Sequence, residues 1–97
     1  MIFESVVEPL AARDIADADA HYAQFDKADA FLSAIDVVFE QLTSMPLMYP
    51  AVHGDVRRAL LRRFPFSVFF LVEGPRVFVL AIHHRRRDPA SRPRPEK

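Results

Sequence analysis

Apolar positions along this chain change their period twice. Ile2-Phe3-Glu4-Ser5-Val6-Val7 is short and rich in β-branched residues, and Pro9 closes it, which predicts an opening strand. From Pro9 onward, Ala11, Ile15, Ala18, Tyr22 and Phe25 recur at the 4-3-4-3 spacing of one helix face, with the proline suited to the first helical turn. Asp14, Asp17 and Asp19 fall in the first two turns, where the helix dipole favours carboxylates. Asp26, with Asp29 three residues on, resembles a capping box ahead of a stronger run: Phe31, Ile35, Val38, Leu42 and Met45, flanked by Ala28, Leu32 and Phe39. Two amphipathic helices this close together predict an antiparallel hairpin, and Pro46 ends the second. Their aromatic residues are read as core.

Leu47 to Gly54 has no period, and it contains a proline and a glycine, which predicts a connecting loop. Beyond it the period becomes two. Val56 to Arg63 reads as a strand with Arg57 and Arg63 on one face and Arg58 and Arg62 on the other. Phe64-Pro65 interrupts it, and Phe66 to Val72 is apolar on both faces, as a central strand is. Glu73-Gly74-Pro75-Arg76 is a turn with Gly74 available for positive φ, and Val77 to Ile82 is a last apolar strand running into His83-His84-Arg85-Arg86-Arg87. The predicted order is β-α-α-β-β-β, an α+β domain over residues 1–87 with the helical hairpin packed on a small antiparallel sheet. Residues 88–97, with three prolines and two arginines, form a basic tail expected to be poorly ordered unless a partner holds it.

Composition narrows the classes. The chain has 97 residues, room for one domain. Without cysteine there is no disulfide framework, thiol nucleophile or thiolate metal site. Its longest apolar stretch, Phe66 to Val72, falls far short of the ~20 residues of a membrane-spanning helix. The start carries no basic region followed by an apolar run, so a cytoplasmic location is expected. Two glycines twenty residues apart make no phosphate loop, and none of the serines has a neighbouring His/Asp arrangement, so no cofactor is expected.

Net charge is zero, yet residues 1–55 hold ten acids against two bases (2 − 10 = −8), while residues 56–97 hold eleven bases against three acids (11 − 3 = +8). Ten of those eleven are arginines, suited to planar recognition of carboxylate or phosphate. Candidate binding residues are therefore Arg57, Arg58, Arg62, Arg63, His83, His84, Arg85, Arg86 and Arg87. Strand alternation would point His83, Arg85 and Arg87 one way and His84 and Arg86 the other. In one reading the arginines, Arg85 among them, hold a phosphodiester or a partner's carboxylates, and a histidine such as His83 could move a proton. In the other, the row is a solvated strand end that blocks edge-to-edge aggregation. Asp17, His21 and Tyr22 have no third ligand in sight, so a salt bridge is favoured over a metal there, and His53 reads as a loop residue.

The same residues carry a family resemblance. Ala11-Ala12-Arg13-Asp14-Ile15 opening the first helix, Tyr22 near its end, Ala30-Phe31 and the exit Leu42-Thr43-Ser44-Met45-Pro46 are similar to the RelE/ParE superfamily of type II toxin–antitoxin toxins. More specific are Val56 to Phe66, which resembles the family's arginine strand and Phe-Pro-aromatic turn, and the close His83 to Pro89. The ParE-like, plasmid-stabilisation branch is the nearer one.

That resemblance implies the predicted fold and a toxin held inactive by a cognate antitoxin, whose C-terminal segment wraps helices and sheet and whose N-terminal part binds DNA. It implies one of two targets. The ParE-like branch inhibits DNA gyrase without nuclease chemistry; the RelE-like branch cleaves mRNA in the ribosome with basic residues and often a His or Tyr near the last strand. Here Phe66 to Val72 lacks the Arg usual in the RelE-like middle strand, and no Trp or Tyr follows Asp88-Pro89, which favours the gyrase branch. The alternatives are an endonuclease using His83, Arg85 and Arg57 or Arg58, and a detoxified relative that only binds antitoxin.

Overall fold

The computed structural model describes residues 2–86. Its elements run β1 (Glu4–Val7), α1 (Pro9–Ala23), α2 (Ala28–Ser44), a 3-10 turn (Pro46–Met48), β2 (Ala51–His53), β3 (Val56–Leu60), β4 (Phe66–Glu73) and β5 (Arg76–His84). Arg87 and the predicted tail lie outside the described residues. The α+β class and the helical hairpin on a sheet follow the two periodicities.

The helices form where the apolar stripes place them. Ala11 and Ala18 of α1 and Phe31, Ile35, Val38 and Leu42 of α2 are buried. The last residue of each predicted stripe lies past its helix and is exposed, Phe25 and Met45 at 57% each. No capping box forms: Asp26 takes a left-handed backbone (φ 59), and the N-cap of α2 is Lys27, which makes no side-chain bond. The reason is the turn between the helices, where the Lys27 N–H donates to the Tyr22 carbonyl at 2.9 Å and closes the end of α1.

The sheet has five strands in the order β1-β5-β4-β3-β2. Two features go beyond the sequence reading. β1 runs parallel to β5 while the other pairs are antiparallel, so the sheet is mixed. Part of the predicted loop also pairs with β3 as β2, which makes His53 a strand residue. At the other hairpin Gly74 takes φ +58 in the two-residue loop between Glu73 and Arg76, as the turn prediction requires.

The helices cover one face of this sheet. Val72↔Val77, Phe70↔Val79, Val68↔Ile82 and Phe66↔His84 are the helix-facing pairs; Leu71↔Phe78, Phe69↔Ala81 and Ser67↔His83 face away. The side changes parity along β5 because the register shifts between Phe69 and Phe70, leaving Leu80 as an extra residue. The bulge turns Ile82 into the core and His83 outward. Asp14 of α1 secures it, its Oδ2 accepting the Ile82 N–H at 2.9 Å. Tyr22, Phe31, Phe64 and Phe66 pack at ring distances of 5.0 to 6.2 Å, mostly edge to face, and join α1, α2 and the β3–β4 loop.

Candidate functional site

The strand predicted to reach Arg63 ends at Leu60. Phe64 is buried, and the chain must turn back within a few residues: the Leu61 N–H donates to the Phe66 carbonyl at 3.0 Å and the Phe66 N–H to the Phe64 carbonyl at 2.8 Å. This geometry forces Arg63 to φ 74, a left-handed conformation that costs an ordinary residue roughly 1–2 kcal/mol. Arg62 and Arg63 are thereby exposed in a loop rather than alternating on a strand.

The end of β5 meets that loop. The Arg85 N–H donates to the Pro65 carbonyl at 2.7 Å, and the Arg86 N–H to Nδ1 of His84 at 3.1 Å. Alternation therefore stops at His84, and Arg85 and Arg86 sit in an exposed turn. His84 lies on the helix side with its ring 5.2 Å from Phe66, and His83 on the other with its ring 5.6 Å from Phe69. Arg62, Arg63, Arg85 and Arg86 are thus gathered at one end of the sheet. Arg58, in register with Phe69, shares the outward face with His83.

Arg57 goes elsewhere. Its guanidinium points to the helix side, where Nη1 donates to the carbonyls of Tyr49 and Leu47 and holds the segment before β2. It acts as a structural latch through Nη1, while the side chain also lines a cavity of about 320 Å³ together with Asp55 and Glu73. Tyr49 completes the latch: its hydroxyl donates to Oε1 of Gln41 at 2.6 Å, and burial raises its pKa above 10.0.

A groove beside this cationic end was not legible in the sequence. It holds about 590 Å³ between α2 and the β3–β4 loop. Lys27 at the N-cap of α2 and Ala30, Ala34, Val37 and Gln41 on its successive turns form one wall; Leu60, Arg62, Arg63 and Phe64 form the other. Val37 and Leu60, at 45% and 44% exposure, leave its floor apolar and open. The only sequence signal is Val37, an apolar residue off the buried stripe of α2.

At the remaining candidates, the His21 ring lies edge-on to Tyr22 and Phe25. Among the described residues no group of three or more His, Asp or Glu is placed to hold a metal ion. Nor is any helix there long and apolar enough to cross a membrane.

A family model describing the ParE toxin of the type II toxin–antitoxin system, parDE, matches residues 6–89. The chain belongs to the ParE toxin family. The match spans both helices, the arginine strand and the histidine pair. Among solved structures, this ParE-family toxin is similar to a chain of the chromosomal ParDE toxin–antitoxin system from P. aeruginosa, with 25% identity and a TM-score of 0.65 over 86% of this chain and 96% of that one. It also shares its fold with a chain of the RelBE2 toxin–antitoxin complex from Mycobacterium tuberculosis, at 14% identity and a TM-score of 0.64 over 88% and 100% of the two chains. A search of curated protein sequences found no significant match.

Proposed function

We infer that this ParE-family toxin is neutralised by direct binding of a cognate antitoxin, and that it acts on DNA gyrase without cleaving a substrate itself. An antitoxin partner is supported by the similar solved structures, which come from toxin–antitoxin systems. The choice of target rests on the surroundings of His83. This histidine is 7% exposed, set against Phe69 and opposite Ser67, beside a strand with no cation between Phe66 and Val72. Acid–base work on RNA requires an imidazole to come within ~2.6–3.2 Å of the reacting hydroxyl. A side chain this enclosed is poorly offered to a polynucleotide.

Purified toxin should inhibit supercoiling by gyrase and leave ribosome-bound mRNA intact; cut mRNA with supercoiling unaffected would reverse the assignment. One observation favours the endonuclease reading, which is that Arg58 and His83 share the outward face around Phe69. Under that reading His83→Ala abolishes toxicity while antitoxin binding persists, whereas under the gyrase reading the change is mild. Growth arrest on expression without antitoxin excludes a detoxified relative.

A further inference from the structure

We propose that the cavity between the β2–β3 turn and the end of β4 binds a free α-amino acid with an apolar side chain, its carboxylate on the guanidinium of Arg57 and its ammonium between Asp55 and Glu73. The site lies at the opposite end of the sheet from the loop of Arg62 and Arg63, and it stands independently of the antitoxin and gyrase readings.

Unspent charge around one small space carries the inference. Arg57 gives only Nη1 to the Leu47 and Tyr49 carbonyls, which leaves Nη2 and Nε without an acceptor among the described residues. Asp55 and Glu73 share the cavity with it. Among the described residues neither carboxylate has an ion-pair partner or a hydrogen-bond donor. Arg76, opposite Glu73 across the hairpin, pairs with Glu4 at 3.5 Å instead. Opposite charges thus line one cavity without meeting. The backbone keeps them apart, with Arg57 on β3, Asp55 in the turn before it and Glu73 at the last position of β4. A ligand that carries both charges closes that gap, whereas a simple anion is repelled by two carboxylates and a simple cation by the guanidinium.

Size and lining narrow the ligand. At about 320 Å³ the cavity stands at the small end of ligand pockets, roughly 300–1,000 Å³, so it suits a molecule of amino-acid size. Leu47, Ala51, Leu71 and Val72 supply an apolar wall beside the charges. Leu47 is 58% exposed there, apolar surface that an apolar side chain of the ligand would cover. The interior of a peptide offers neither an ammonium nor a carboxylate, whereas an α-amino acid has both on the carbon that bears its side chain. Once bound, it ties together the segment after α2, the β2–β3 turn and the end of β4, so occupancy stabilises the fold.

The test titrates the isotope-labelled full chain with L-leucine, with leucinamide, which keeps only the ammonium, and with N-acetylleucine, which keeps only the carboxylate. Leucine should shift the amides of residues 47–57 and 71–73 saturably, with a Kd on the order of 1 mM, and each analogue should bind at least tenfold more weakly. At ten times that Kd, leucine should raise the melting temperature by about 5–10 °C. Glu73→Gln, at an exposed hairpin position, should weaken leucine at least threefold and leave N-acetylleucine no weaker. Ala51→Phe places a ring in the cavity from an exposed strand position and should abolish the shifts. No saturable shifts with leucine up to about 20 mM, equal binding of leucine and either analogue, or unchanged leucine binding in Glu73→Gln or Ala51→Phe would overturn the proposal. None of these readouts involves gyrase or an antitoxin, so the site and the toxin reading stand or fall separately.

Discussion

Arg57 shows how one residue's role is decided by its neighbours. It shares composition and spacing with Arg58, Arg62 and Arg63, yet it alone turns inward and satisfies the carbonyls of Leu47 and Tyr49. Arg57→Ala removes the donor to both carbonyls and should cost about 0.5–1.5 kcal/mol, read as a lower urea midpoint. On the gyrase reading, inhibition per folded molecule is retained, since the side chain is not at the cationic end. Tyr49 adds a pH dependence. Burial raises its pKa in the folded state, so as pH climbs past 10.0 the unfolded chain ionises first. Stability is therefore full below that pH and declines above it; Tyr49→Phe should flatten the decline, followed by thermal melts between pH 8 and 11.

At the scale of elements, the bulge in β5 matters most. Val77 to Ile82 is apolar on both faces, so nothing in its pattern says where its parity reverses. The reversal decides that Ile82 faces the helices and His83 the opposite side of the sheet, and Asp14, 68 residues away in sequence, accepts the Ile82 N–H. Asp14→Ala removes that acceptor and should lower stability by about 1–3 kcal/mol, whereas Asp14→Asn keeps an oxygen and should lose less. Amide exchange at Ile82 should rise several-fold in the alanine variant only. Both helices were legible because their stripes are regular, and Pro46 marked the end of α2, but the exact last residues were not legible from the stripes. Phe25 and Met45 continue the spacing in sequence while Asp26 and Pro46 stop the helix in space.

Across the whole molecule, the zero net charge resolves into an acidic helical layer and a cationic sheet end. The polarity is less complete than a division of the sequence implies. Arg57 is folded in, and Arg76 sits at the opposite end of β5, 3.5 Å from Glu4 in an exposed pair worth little. What remains is concentrated: Lys27, Arg62 and Arg63 at the groove mouth, Arg85 and Arg86 next to the loop. An antitoxin held by exposed charges is screened over ~8–10 Å at physiological ionic strength, so its affinity should fall roughly tenfold or more between about 0.05 and 0.5 M salt, measured by titration calorimetry. Salt-insensitive binding would assign the affinity to the apolar floor instead.

By itself the sequence determined the helical hairpin, four of the five strands, the central position of β4 and the family, because these follow from local periodicity and short motifs. Tertiary structure alone decided the parallel place of β1, the bulge that orients His83, the inward turn of Arg57 and the groove beside α2. Each of these joins residues of different elements or loops, and the backbone bonds and packing that fix them have no counterpart in any local pattern.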